Sequence, residues 1–327
     1  MSSEAPYVNL NPNMVLKAVE GIGYRCDGRI LALNSYENRV YQLGTDDGAF
    51  VIVKFYRPQR WSDEGIIEEH QFTYELVEHD LPIVAPFAVQ GVTLHECSGF
   101  RFAVFPRCGG RWPELGTQEE LVLMGRFLGR IHAVGATEGF EHRQNISIER
   151  MGQEASDYVL CSDWVPDHLF ESYEAITSHL IDRVTDSFIQ AGDFRQIRIH
   201  GDCHPGNVLW KDNGPHFVDL DDCVTGPAVQ DLWLFLSGER ESRSHQLQGL
   251  LEGYNQFYDF DYRELHLIEA LRALRMINYT AWIARRWIDP AFPRAFPWFA
   301  ENKYWEEHVL ALKEQAAVLE EPPLEVI

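Results

Sequence analysis

Apolar and polar positions divide the chain into two kinds of pattern. Up to about residue 106, short runs alternate or fill with β-branched and aromatic residues between turn-forming clusters. After a possible short helix over 14–20, RILAL, RVYQL and AFVIVKFY are separated by the turns NSYEN and GTDDG. That pattern predicts three antiparallel strands. The stretch SDEGIIEEHQFTYELVEH reads as a helix, with Ser62 at its cap and Ile66, Phe72 and Leu76 near helical spacing. Two further strands are expected, around AVQGVTLH and FRFAVFP. Beyond RCGGR at 107–111 the period changes. Leu169, Tyr173, Ile176, Leu180, Val184 and Phe188 recur every three or four residues, as one stripe of a helix does. A short strand pair is expected around VLW and HFVDL, and helices again from Leu232, with a long one near 262–287. The expected fold is α+β: a sheet-rich lobe of five antiparallel strands over 1–106, a hinge about 105–111, and a larger helical lobe over 107–327.

Composition narrows the function classes. The 327 residues are 45% hydrophobic and 24% charged, enough for a continuous core in two lobes. A net charge of −22 argues against a general nucleic-acid binder, which needs a basic surface to release counterions. A small basic pocket for phosphate is still compatible with it, because fields are local. The start of the chain has no basic region followed by an apolar run, and no window reaches the roughly 18 apolar residues of a membrane span. Six scattered cysteines without a CxxC pair read as reduced thiols, so a cytoplasmic location is expected.

The segment IHGDCHPGNVLW, Ile199 to Trp210, holds the densest chemistry. Pro205 and Gly206 prevent a continued helix, leaving a loop on which Asp202 and Asn207 can converge. Four residues separate the two, the spacing at which a kinase catalytic loop places its hydroxyl-orienting Asp and its metal-binding Asn. Twelve residues past Asn207, the apolar run FVDLDD reaches Asp219, suited to hold magnesium. Phosphoryl transfer also needs a cation on the phosphates, and Lys54 stands alone in the apolar run FVIVKFY. On a pleated strand it shares a face with Phe50, Ile52 and Tyr56. Glu69 is its expected partner, with Glu68 the alternative. The competing reading of Lys54 taken alone is a charge guarding an edge strand, and the rest of the set weighs against it.

Together, HGDCHPGN, FVDLDD and GPAVQDLW, with ALNSYENRVYQL, VKFYRP, EEHQF and RRWIDPAFPRAFPW, resemble the aminoglycoside phosphotransferase and choline kinase-like branch of the protein-kinase-like fold. Within that branch they look like the bacterial stress response kinase A type. The resemblance implies a monomeric cytoplasmic enzyme using ATP and Mg2+ to phosphorylate protein serine or threonine. It places Asp202 on the proton acceptor, Asn207 and Asp219 on magnesium ligands, and Ser35 on a nucleotide-contacting position. Adenine is expected against backbone groups around Phe105–Arg107, and Asp231 is expected to brace the catalytic loop. The turn NSYEN has no G-x-G-x-x-G pattern, so phosphate contacts would come from the Ser35 hydroxyl and turn amides. Only eleven residues separate Asp219 from Asp231, too few for a phosphorylation-ordered activation loop.

Other readings compete. His200 and His204 have zinc-ligand spacing, but not on a helix, and DLDD lacks the Gly and Glu of a calcium loop. Asp221 and Asp222 are either supports for the site or solvated acids. Trp282, Trp287, Trp298, Tyr304 and Trp305 form either a substrate platform or core. The same catalytic parts would serve a small-molecule kinase for an amino alcohol, sugar or aminoglycoside. An ATP-binding pseudokinase scaffold is the non-enzymatic alternative, and the full set of five site residues speaks against it.

Overall fold

A computed structural model of the chain describes residues 5–211 and 214–326. In chain order the elements are α1 (Pro12–Gly21), β1 (Cys26–Ala32), β2 (Arg39–Thr45), β3 (Phe50–Phe55), α2 (Asp63–Glu78), β4 (His95–Cys97), β5 (Phe100–Pro106) and α3 (Gln118–Gly135). They continue with α4 (Glu154–Leu160), α5 (Phe170–Ala191), β6 (Ile197–Ile199), β7 (Val208–Lys211), β8 (Gly214–Phe217) and β9 (Val224–Gly226). The last five are α6 (Val229–Trp233), α7 (Arg240–Tyr254), α8 (Ile268–Arg286), α9 (Ala291–Ala295) and α10 (Asn302–Leu319). The chain divides into two compact units. The first comprises 1–114, 139–143 and 204–223; the second comprises 115–138, 144–203 and 224–327. The segments 139–143 and 204–223, which the sequence assigns to the helical lobe, thus group with the sheet.

The first unit is built on a five-stranded antiparallel sheet in the order β1-β2-β3-β5-β4. The period of two along β3 separates its faces. Val51, Val53 and Phe55 pack with Val15 and Val19 of α1, Leu43 and Phe102 in one core. On the opposite face, Tyr56 meets Ile66 of α2, with Trp61 and Phe105 alongside. Asn11 caps α1, its side chain accepting from the Met14 amide at 3.0 Å. Ser62 caps α2 as expected, accepting from the Gly65 amide at 3.1 Å.

The fourth strand is shorter and later than AVQGVTLH suggests. Gln90 (φ 54°) and Gly91 (φ 80°) form a two-residue turn that leaves only a Val89–Val92 bridge. Pairing resumes at His95, and a second left-handed pair, Ser98 (φ 52°) and Gly99 (φ 83°), turns the chain into β5.

The second unit is helical. The predicted stripe holds: Tyr173, Ile176, Leu180 and Val184 are buried, and Leu169 and Phe188 pack partly buried against the same core. The long C-terminal helix starts as a 3-10 turn over 262–267 and is α-helical only from Ile268. Helices α3 and α7 approach so closely that a Cβ on Gly125 would lie 1.9 Å from the Leu250 carbonyl oxygen, and one on Gly253 equally close to that of Val122. A short ladder, β6 with β9, was invisible in the sequence because each strand has three residues.

Candidate active site

Lys54 is the charged residue of the α2-facing side of β3. Its side chain is 7% exposed, and its Nζ lies 2.9 Å from Glu69 Oε1, 3.4 Å from Asp219 Oδ1 and 3.6 Å from Asp221 Oδ1. The ring of Tyr56 lies 4.8 Å below it. Burial works against the ammonium, but Glu69 foremost, with Tyr56, Asp221 and Asp219 behind it, holds it well above the usual lysine value. Burial raises the Glu69 carboxyl, while Lys54 and then Arg143, whose Nη1 stands 3.9 Å from Oε2, pull it back. Glu68, the alternative partner, does something else: it accepts from the amides of Glu141 and His142 at 2.6 and 2.8 Å.

Asn207 and Asp219 are brought together by the β7–β8 hairpin. Val208 pairs with Phe217, and the Val218 amide donates to the Asn207 carbonyl at 3.0 Å, so Asp219 follows directly. Pro205–Asn207 forms a 3-10 turn in which His204 Nδ1 accepts from the Gly206 amide at 2.9 Å. A Cβ on Gly206 would come within 2.6 Å of the His204 ring and would displace it from this contact. Asp219 adopts left-handed backbone, φ 59° and ψ 63°, which costs energy for a residue with a Cβ and is common where a side chain is aimed at a ligand.

Behind Asp219, Asp221 is buried. Asn38 donates to its Oδ2 at 2.9 Å and Arg60 Nη1 pairs with the same oxygen, while Arg60 Nη2 pairs with Asp222. Burial opposes the Asp221 charge, but Arg60 first, then Lys54 and Arg143, hold its carboxyl well below the ordinary range. Arg143 also donates to the Asp221 and Cys223 carbonyls. The amide oxygen of Asn207 and the half-exposed carboxylate of Asp219 are hard oxygen donors of the kind magnesium takes. Among the described residues no three His, Cys, Asp or Glu side chains group into a metal cage.

In the second unit, Arg275 Nη1 of α8 donates to Asp202 Oδ1 at 2.8 Å. The backbone just before Asp202 is fixed by Asp231 of α6. Its Oδ2 accepts from the His200 amide and its Oδ1 from the Gly201 amide, both at 2.8 Å. His132 Nε2 lies 3.1 Å from the same carboxylate and its Nδ1 lies 2.9 Å from the Tyr254 hydroxyl. Gln230 Nε2 donates to the Gly201 carbonyl at 2.9 Å. Gly201 (φ 82°) makes the left-handed bend between these anchors. His200 is buried at this anchor.

Residues 29–268 match the phosphotransferase enzyme family. The chain belongs to that family. This phosphotransferase is 44% identical over 325 residues to the stress response kinase A of Escherichia coli K12, covering 99% of this chain and 98% of the relative. It is 41% identical over 320 residues to the serine/threonine protein kinase RdoA of Salmonella typhimurium, covering 98% and 97%. Among solved structures, an amicoumacin kinase in complex with AMP-PNP, Ca2+ and Ami is similar at TM-score 0.71 and 17% identity, over 93% of each chain. The expected protein-kinase-like fold is thereby confirmed.

The remaining sequence candidates of this phosphotransferase occupy distinct positions. Ser35 sits half-buried in the β1–β2 turn. That turn is anchored by Arg57, which donates to the Glu37 and Tyr36 carbonyls at 2.9 and 3.1 Å, and by Asn38 through Asp221. The Phe105 ring lies 5.4 Å from Lys54 Nζ, on the α2-facing side of the sheet. The Arg107 side chain turns back on the sheet, its Nε donating to Gln42 Oε1 at 2.8 Å, so only its backbone faces the role proposed from sequence. Four of the five tail aromatics are core, since Trp305 is buried and Trp282, Trp287 and Tyr304 pack on Phe292 and Phe299, whereas Trp298 is exposed. Sequence reasoning missed Asn38, Arg60, Arg143 and Arg275. Among the described residues no helix is long and apolar enough to cross a membrane.

Proposed function

We propose that this phosphotransferase transfers the γ-phosphoryl group of ATP, with Mg2+, to a serine or threonine hydroxyl of a protein, acting as a cytoplasmic monomer. The observation that carries the reading is Lys54, buried and pinned at 2.9 Å by Glu69 with Asp219 at 3.4 Å. A fixed cation next to a left-handed, half-exposed aspartate is the arrangement that grips phosphates beside a metal ligand. The 41% identity to a relative named as a serine/threonine protein kinase supports the protein acceptor.

In this reading Lys54 holds the α- and β-phosphates, and Glu69 keeps its ammonium in place. Asn207 and Asp219 would hold Mg2+, which would neutralise the charge developing on the phosphates. The Ser35 hydroxyl and its neighbouring turn amides add phosphate contacts, and backbone groups from Phe105 to Arg107 bond the adenine edge. Asp202 accepts the hydrogen bond of the acceptor hydroxyl and aligns its oxygen as the bond to the ADP leaving group breaks. Alignment outweighs basicity in a loose transition state, so the rigid bracing of the loop by Asp231 matters more than a perturbed Asp202.

The test is transfer from γ-labelled ATP with Mg2+ to cell lysate, a generic basic protein and a panel of amino alcohols, sugars and aminoglycosides. Label in polypeptide that is lost in Asp202→Ala is the expected result. Label confined to small molecules overturns the protein acceptor, and no transfer to anything overturns the catalytic reading.

A further inference from the structure

Arg275 touches the proposed hydroxyl-orienting carboxylate, and no motif announces it. It projects from α8, whose opposite face is locked in the core by Ala273 and Ile277. One turn earlier on α8, Arg272 is engaged locally, its Nε 3.1 Å from Glu269 and its guanidinium over the Trp233 ring. Arg275 instead reaches 73 positions back in the chain to Asp202 Oδ1 at 2.8 Å. Its side chain is 42% exposed and that of Asp202 25%. A half-exposed ion pair of this kind adds little stability, which leaves its position as the feature to explain.

We propose that Arg275 positions Asp202 and is a specificity-determining residue, selecting acceptor hydroxyls flanked by an acidic group. The inference rests on the protein-kinase reading above. A guanidinium offers five donors in a rigid fork, and one contact to Oδ1 fixes the carboxylate's rotamer while other donors remain directed elsewhere. A hydroxyl hydrogen-bonded to either oxygen of Asp202 lies within roughly 7 Å of that guanidinium, from ordinary hydrogen-bond lengths. Arg275 is therefore within reach of the residues beside the acceptor serine or threonine. A carboxylate or phosphate there makes a charge-assisted contact; a lysine there meets a like charge. The chain's net charge of −22 makes the local cation necessary, because the general field repels an acidic acceptor. Along the same face of α8, Tyr279 is exposed, giving the acceptor segment a flat apolar neighbour beyond the charge.

The experiment is a positional-scanning array of serine- and threonine-centred peptides in which each flanking residue is Glu, Ala or Lys. The wild-type chain, Arg275→Gln, Arg275→Lys and Asp202→Ala are compared with Mg2+-ATP, and thermal melts confirm that each variant is folded. The wild type should prefer Glu over Lys in at least one adjacent position by about tenfold in kcat/KM, the size of one charge-assisted contact. Arg275→Gln should bring that ratio close to one, with KM for ATP unchanged, and Arg275→Lys should restore part of it. A wild type indifferent to flanking charge overturns the inference, as does an Arg275→Gln variant that keeps the preference. If Asp202→Ala labels peptides as well as wild type, or wild type labels none, the reading beneath it has failed instead.

Discussion

The Lys54–Glu69 pair can be tested by a double-mutant cycle, because the structure fixes what each change leaves behind. Glu69→Leu strands a buried ammonium whose remaining partners are Asp219 at 3.4 Å and Asp221 at 3.6 Å. Removing one partner of a buried pair costs about 3–5 kcal/mol, and the two residual carboxylates put this change at the lower end, about 3 kcal/mol. Lys54→Met leaves Glu69 with Arg143 at 3.9 Å as its nearest cation, and takes a charge partner from Asp221 as well. Its cost should be larger, about 4 kcal/mol. The double variant replaces both charges by apolar side chains of similar volume facing Tyr56, Ile66 and Phe105. It should cost well under the sum of the singles, with a coupling of at least about 2 kcal/mol. The assay is urea unfolding of the four proteins at pH 7, followed by fluorescence, alongside transfer from labelled ATP. All three variants should lose transfer, since each removes the fixed cation or its anchor. Single-variant costs that add within about 0.5 kcal/mol would refute the reasoning, because independent residues add and a buried pair does not.

Three further predictions follow from the same electrostatics. Asp221 is held below its ordinary pKa, chiefly by Arg60, so its contribution is complete above the unfolded value near 3.9 and is lost as pH falls below about 4. Arg60→Ala should therefore lower stability at neutral pH and start acid unfolding at a higher pH than in wild type; superimposable acid-unfolding curves would contradict this. Glu264 is buried and pushed up to about 8, with its Oε2 accepting from the Val229 amide at 2.8 Å. Between about pH 4.3 and 8 the folded state holds a proton the unfolded chain has released, so stability should fall as pH rises through that window. Glu264→Gln should flatten the fall, measured by urea unfolding at pH 5 and 8.5; an unchanged slope would count against the buried proton. Finally, the chain between Asp219 and Asp231 is filled by a 3-10 turn, β9 and the start of α6. The purified protein should be active without prior phosphorylation, and inertness until another kinase modifies it, checked by mass spectrometry, would contradict that.

What the sequence revealed and what it hid differ in the range over which the signal acts. Lys54 was legible because a lone charge in an apolar, period-two strand has no local reason to be there. Asn207 and Asp219 were legible as neighbours because the strands that join them are short enough for spacing to act as geometry. The choice between Glu68 and Glu69 was not, since adjacent residues on a helix point about 100° apart and only the docked orientation of α2 decides. Glu69 faces Lys54, whereas Glu68 faces the amides of Glu141 and His142. The fourth strand was misplaced because Gln90 adopts left-handed backbone, which the sequence does not advertise in a residue other than glycine or asparagine.

Arg60, Arg143 and Arg275 were missed for a different reason. Each lies in a segment where an arginine reads as a solvated surface charge, and the carboxylate or carbonyl it serves is 73 to 162 positions away. The status of Asp221 shows what this means for reading such a site. Its own neighbourhood, DLDD, allows a solvated acid and a structural support equally. Buried without these partners, it would be a costly isolated charge; with Arg60, Lys54 and Asn38 around it, it is the anion around which the cations of the site are arranged. The role of an acidic residue in this fold is therefore decided by the distant cation that reaches it, and the residues most worth mutating are those cations.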